Sequence, residues 1–157
     1  MYAVIPCPSS AAGHHPKFSP GRGALKGDDM NDAMFEKGVQ IRRELFGAEL
    51  GEKHIREATD LTREFQDIVT RYCFAEVWGR DQLPRRIRSM ITISMLVAMG
   101  RTPEVKLHMR TALRNGVTPE EIREILLNAM IYCGVPAAVD GFRCAAEVLQ
   151  DAGQQEQ

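Results

Sequence analysis

From Asn31 onward, apolar residues return at three- and four-residue steps, the spacing of helices that bury one side. A first helix is predicted from an Asp32 cap to about Phe46, with Phe35, Val39 and the pair Arg42–Arg43 on alternating faces. Gly47 and Gly51 are read as breaks. The stretch from His54 to about Trp78 repeats apolar residues at Leu61, Phe65, Ile68, Val69, Tyr72 and Val77. Asp60 can cap a second piece inside it, giving two helices, and Arg71 and Glu76 read as solvated charges. After a turn at Gly79–Leu83, Pro84 opens PRRIRSMITISMLVAMG, polar at first and apolar all round later, which suits a core or a subunit interface.

Gly100 ends that helix, and TPEVKLHMRTALRNG follows, with Thr102 as cap, Pro103 in the first turn and Gly116 as a left-handed stop. In TPEEIREILLNAMIYCG, Thr118 and Glu121 form a capping box around Pro119. Ile122, Ile125, Leu126, Ala129 and Met130 make its buried stripe, and Gly134 stops it. The last helix, from Pro136, carries Ala138, Gly141, Phe142, Ala145, Ala146 and Leu149, several of them small enough for close helix–helix approach. No stretch alternates at period two and no hairpin dipeptide separates β-branched runs. The predicted fold class is all-α.

Residues 1–29 differ in kind. They are rich in Pro, Gly and Ser without a period, and are expected to be a disordered tail ahead of a helical domain at 30–152. Met30 and Met34 are candidate starts, and the C-terminal QQEQ reads as a polar tail. At 157 residues the chain can build one domain with a real core. A formal net charge of −1 points to neither nucleic acid nor an acidic membrane surface, and no apolar run is long enough to span a membrane. Cys7, Cys73, Cys133 and Cys144 form no Cys-x-x-Cys and no zinc spacing. They read as buried, reduced thiols of a cytoplasmic protein. The adjacent His14 and His15 lack further ligands, so no metal and no cofactor is expected.

Candidate chemistry concentrates on Glu104 and His108. Four residues apart on a helix, they share a face with about 5–6 Å between Cβ atoms. A carboxylate beside an imidazole is a usable proton-transfer pair. Arg85, Arg86 and Arg88 crowd a helix N-terminus, against its dipole, and with Ser89 form a candidate anion-binding patch. The competing readings are a solvated cluster for the arginines, core for Trp78, and packing for Met90, Met95 and Met99.

Taken together and in order, FEKGVQIRRELFG, FQDIVTRYCFAEVW, RRIRSMITISML, EVKLHMRTALRNGVTPEEIREILL and YCGVPAA resemble the carboxymuconolactone decarboxylases, over about Asn31 to Leu149. The resemblance implies the helical fold of the alkylhydroperoxidase D-like proteins, assembled as ring-like homohexamers. Redox members of that superfamily carry Cys-x-x-Cys with a histidine four residues after the second cysteine. His108 falls on the histidine, and the cysteine positions hold Arg101 and Glu104. Without those thiols, peroxide reduction has no redox centre there.

The implied reaction is loss of CO2 from 4-carboxymuconolactone, giving 3-oxoadipate enol-lactone in protocatechuate catabolism. The lactone's own conjugated carbonyl takes the electrons, so the chemistry calls for no cofactor. His108 is then the candidate acid or oxyanion donor, with Glu104 orienting it. Arg85 and Arg88, with Ser89, are candidates for holding the remaining carboxylate, and Tyr132 is a candidate further donor unless it is a core or interface aromatic. The alternatives are action on a different lactone, a thiol peroxidase, and a non-enzymatic oligomer binding a small acidic or aromatic ligand.

Overall fold

A computed structural model describes residues 27–155, and the side chains of residues 32–153. The described residues are helical throughout, without strands. Helix α1 spans Gly27–Phe46, α2 Ala48–Arg56 and α3 Arg63–Ile68, which runs on as a π-helical segment, Val69–Trp78. Then come α4 (Arg85–Ala98), α5 (Thr102–Arg114), α6 (Pro119–Cys133) and α7 (Val135–Gln155). Helix α1 therefore starts ahead of the expected Asp32 cap, and α7 runs into the expected polar tail. Cys7, His14 and His15 lie outside the described residues.

Two layers result. Helices α4 to α7 pack on one another around an aliphatic core that includes Ile93, Val97, Val105, Met109, Ile122, Leu126 and Val148. The α6 stripe behaves as its spacing predicts: Ile122, Leu126 and Ala129 are buried, and the Thr118–Glu121 capping box forms. Small residues let α7 approach; a side chain at Gly141 would overlap Leu126. In the other layer α1 lies on the π segment and on α2, around Ile41, Leu45, Phe46, Phe74 and Trp78. A side chain at Gly38 would overlap the carbonyl of Thr70, so this crossing depends on glycine. Gly51 does not break the chain. It is buried inside α2 against the Arg42 backbone, and only Gly47, at φ 86°, makes the turn.

The main departure from the sequence pattern is in α3 and the π segment. Hydrogen bonds of the i→i+5 kind, such as Gly79 N–H to Phe74 O at 2.8 Å, widen the turn and reset the buried face. That face is Thr70, Phe74, Ala75 and Trp78. Most of the stripe counted at helical period points outward instead: Leu61, Phe65, Ile68, Tyr72 and Val77 are exposed, Leu61 at 91%, and only Val69 packs inward. Thr62, not Asp60, precedes α3; Asp60 pairs with Arg63. Arg71 is not solvated, being paired with Asp67 and laid over the Phe35 ring. Two further expectations of burial fail: Met95 and Met99 are exposed, as are Cys73 and Cys133, while Cys144 is buried.

Candidate active site

Helix α5 serves both layers. Val105, Met109 and Ala112, one helical stripe, enter the aliphatic core, which leaves Leu107 and His108 facing the aromatic layer. The His108 ring meets Phe46 edge-on at 5.8 Å between centroids and stacks on Trp78 at 6.3 Å and 25°. Phe46 is in turn edge-on to Phe74 at 5.7 Å. The imidazole lines a cavity of about 350 Å³, whose other walls include Arg42, Phe46, His54, Phe65, Gln66 and Phe74.

Nδ1 of His108 is buried without a hydrogen-bond partner. Burial pushes the imidazole pKa below its ordinary value; the Glu104 carboxylate opposes this but does not overcome it. The ring is therefore neutral at neutral pH, with one nitrogen to donate and one to accept. An anion bound beside it would raise its pKa again.

Glu104 sits one turn away but does not hydrogen-bond to the imidazole. Its Oε1 accepts from Arg101 at 2.6 Å, and its buried Oε2 is unpartnered. Arg101 holds this carboxyl below the usual carboxylate range, helped by a backbone N–H. Glu104 thus acts on His108 through space, as a fixed negative charge that favours the charged ring, with no hydrogen bond to orient it. Arg101 and not Thr102 occupies the cap position, and no side chain caps the helix.

The remaining sequence candidates do not line this cavity. Arg85 pairs with Glu44 at 2.6 Å on a separate cavity of about 310 Å³, which Lys37, Arg80 and Trp78 also line. Ser89 is fully buried and accepts from Asn115 Nδ2 at 2.9 Å. Asn115 lies well beyond His108 along α5, roughly 10 Å of helix rise, so Ser89 is held at a different level from the imidazole. Arg88 has a buried, unpartnered Nε and donates from Nη2 to the Arg80 carbonyl at 3.4 Å. Tyr132 is 81% exposed at the end of α6. Arg86 is taken up by Glu121 and the Gly116 carbonyl.

Sequence reasoning missed Arg42. It is 3% exposed and reaches across α1 to Gly51 O (2.8 Å, from Nε), Gln66 Oε1 (3.2 Å) and Thr70 Oγ1 (2.9 Å), the last two from Nη1. Its guanidinium lies over the Phe74 ring at 5.0 Å. In the sequence the only signal is its place beside Arg43, and two adjacent arginines on a helix look alike until packing separates them. Arg43 is outside, paired with Glu52.

The cavity thus offers a cation, a neutral imidazole and apolar walls, suited to a small anion with an apolar body. Among the described residues no cluster of His, Cys, Asp or Glu could hold a metal, and no helix is long and apolar enough to cross a membrane. The chain is similar to 4-carboxymuconolactone decarboxylase of Acinetobacter baylyi, 38% identical over 129 residues that cover 79% of this chain and 93% of that protein. It is also similar to nitrosuccinic acid decarboxylase of Metarhizium robertsii, 34% identical over 124 residues, 79% of this chain and 87% of the relative. Residues 63–147, which run from the start of α3 into α7 and contain His108, match the model of the carboxymuconolactone decarboxylase family, and this chain belongs to that family.

Proposed function

We propose that the protein is a cofactor-independent carboxy-lyase that converts 4-carboxymuconolactone to 3-oxoadipate enol-lactone and CO2, in the breakdown of aromatic compounds through protocatechuate. The observation that carries this reading is the 38% identity to a decarboxylase so named, across 93% of that protein's length. The His108 cavity supplies what the chemistry needs. The bond between the ring carbon and its carboxylate breaks, and the electron pair moves through the ring double bond into the lactone carbonyl, giving a dienolate. His108 donates a hydrogen bond to the carbonyl oxygen as charge develops there, an effect worth roughly 3–4 kcal/mol per donor. The dianionic substrate raises the imidazole pKa, so the same ring takes up a proton and passes it to the carbon beside the carbonyl.

The nitrosuccinate relative supports a second reading of the same kind. Nitrosuccinic acid is also a dicarboxylate whose leaving carboxylate stands next to its own electron sink, a nitro group. The thiol peroxidase reading is disfavoured, because Arg101 and Glu104, an ion pair, occupy the positions where redox relatives carry cysteines. The purified protein mixed with 4-carboxymuconolactone, without added metal, is expected to release CO2 and form the enol-lactone. Comparing kcat/KM for that lactone and for nitrosuccinate decides between the two readings, and release of CO2 from neither would overturn both.

We also propose a cytoplasmic homo-oligomer, on the family pattern a hexamer. Two apolar surfaces support the assembly, one at Leu61, Phe65, Ile68, Tyr72 and Val77, the other at Ile131, Tyr132, Val135 and Val139, all exposed in the single chain. Phe65 also lines the His108 cavity, so a neighbour seated on the first surface would border the site. Sedimentation equilibrium is expected to give six chains per particle, and a monomer would remove the assembly.

A further inference from the structure

Arg42 is at odds with the rest of the chain's electrostatics. Many of the outward arginines, among them Arg43, Arg63, Arg85, Arg101, Arg110 and Arg143, have a carboxylate within 4 Å. Arg42, 3% exposed, has none among the described residues: its acceptors are a backbone carbonyl, an amide and a hydroxyl, all neutral. A buried charge normally has a counter-ion, because leaving water costs several kcal/mol per ion and neutral dipoles return only part of it. Burial accordingly lowers the guanidinium pKa, though it stays charged at any working pH.

The hydrogen bonds also leave one edge of the group free. A guanidinium has five N–H donors. Nε uses one and Nη1 two, and Nη2 makes no hydrogen bond among the described residues. Arg42 lines the cavity that His108 lines. The held side is firmly held: Thr70 Oγ1 donates to the Gln66 carbonyl at 2.7 Å, turning its lone pairs toward Nη1, and Gly51 can bring its carbonyl to Nε because no side chain separates α2 from the Arg42 backbone. The group is thus pre-organised and charged, has no carboxylate partner among the described residues, and lines the cavity.

We infer that Arg42 is the substrate-binding residue that receives the carboxylate spared by the reaction, the one on the acetate arm, through its free Nη2 edge. This rests on the decarboxylase reading of the His108 cavity. The spared carboxylate is the fitting partner because its charge is the same before and after CO2 leaves. A cation clamped on the departing carboxylate would stabilise the ground state and slow the reaction. Held at Arg42, the arm places the ring in the cavity that Phe46, Phe74 and His108 line. Arg85, singled out by the sequence, is paired with Glu44, and neither it nor Arg88 lines this cavity.

The test uses muconolactone, which keeps the ring and the acetate arm but lacks the ring carboxylate, and its methyl ester, which lacks the charge. Each is titrated calorimetrically into the full-length wild type, R42Q and R42K, with melting temperatures recorded. The wild type is expected to prefer acid to ester by on the order of 10²-fold, the scale for a buried charge pair losing one partner. R42Q should bind both alike, at the affinity of the ester. R42K, which keeps the charge but loses the fork, should fall between them. In turnover, R42Q should raise KM with kcat changed less than tenfold, as loss of uniform binding does.

A wild type without preference overturns the inference, as does an R42Q that keeps the preference or one that loses acid and ester affinity equally, the mark of a merely structural clip. If R42Q does not fold, R42K decides alone, and an undiminished preference there is the overturning result. Absence of CO2 release by the wild type sinks the decarboxylase reading separately, because the acid-over-ester preference is measured without turnover.

Discussion

The two layers are built from the same kind of element and resolve their interiors differently. The α4–α7 layer is filled with aliphatic and small side chains, and its buried polar groups, such as Ser89 and Thr111, are hydrogen-bonded. The α1–π layer is aromatic, interrupted by a cavity, and carries a buried cation without a counter-ion and an imidazole with an unsatisfied nitrogen. Unsatisfied buried groups are a cost a stable core avoids; two of the three among the described residues, His108 Nδ1 and Glu104 Oε2, lie on α5 (the third is Arg88 Nε on α4), and their grouping there marks where function is placed. Helix α5 joins the two, with its core stripe held in the well-packed layer and His108 presented to the other.

The comparison is broken most directly at that joint. Substituting His108→Ala should lower kcat by about 10³-fold, within the range of a lost acid or oxyanion donor, while the melting temperature stays close to wild type. Stopped-flow assay of lactone loss alongside circular dichroism checks both parts. Unchanged turnover would remove His108 from the chemistry. The converse substitution, Leu126→Ala in the fully buried aliphatic core, should cost about 2–5 kcal/mol of stability. It should leave kcat of the folded fraction within twofold, as denaturant titration and assay can show. Phe74→Leu lies between them. It should cost about 1–2 kcal/mol and raise KM several-fold, because the ring under the Arg42 guanidinium is lost.

The well-packed layer was legible in the sequence because its signals are local. The Thr118–Glu121 box, the Ile122–Leu126–Ala129 stripe and the glycine stops depend on neighbours within a turn or two. The aromatic layer was not, for two reasons. A π segment changes the period, so counting threes and fours from Leu61 to Val77 traced the outward face and passed over Thr70 and Phe74. Long-range packing then assigned the charges: Arg42 and Arg43 are adjacent in sequence and opposite in burial, and Arg85 finds its partner, Glu44, on another helix. His108 was found because its helix has clear ends. Its relation to Glu104 was half read, since i,i+4 spacing guarantees nearness and not a hydrogen bond, and Arg101 takes the carboxylate.

That half-read relation gives the smallest effect and the finest test. His108 has its pKa lowered by burial, with Glu104 pulling the other way. As pH falls through the ordinary histidine value of about 6.5, the unfolded chain binds a proton that the native chain does not. The neutral buried ring therefore contributes stability fully present above that pH and lost below it, down to the folded pKa. Glu104→Gln removes the upward pull, so the folded pKa drops further and the loss extends to lower pH; His108→Ala should abolish this component. In turnover the protonated ring is the acid, so the alkaline limb of kcat should move to lower pH in E104Q, with only a few-fold change at pH 7. Arg101→Gln is the control, because it breaks the same ion pair but leaves the Glu104 charge in place, and should move the limb far less. A limb that stays fixed in E104Q would mean the carboxylate does not reach the imidazole even through space. A loss beyond about 10²-fold would mean that Glu104 handles the proton itself.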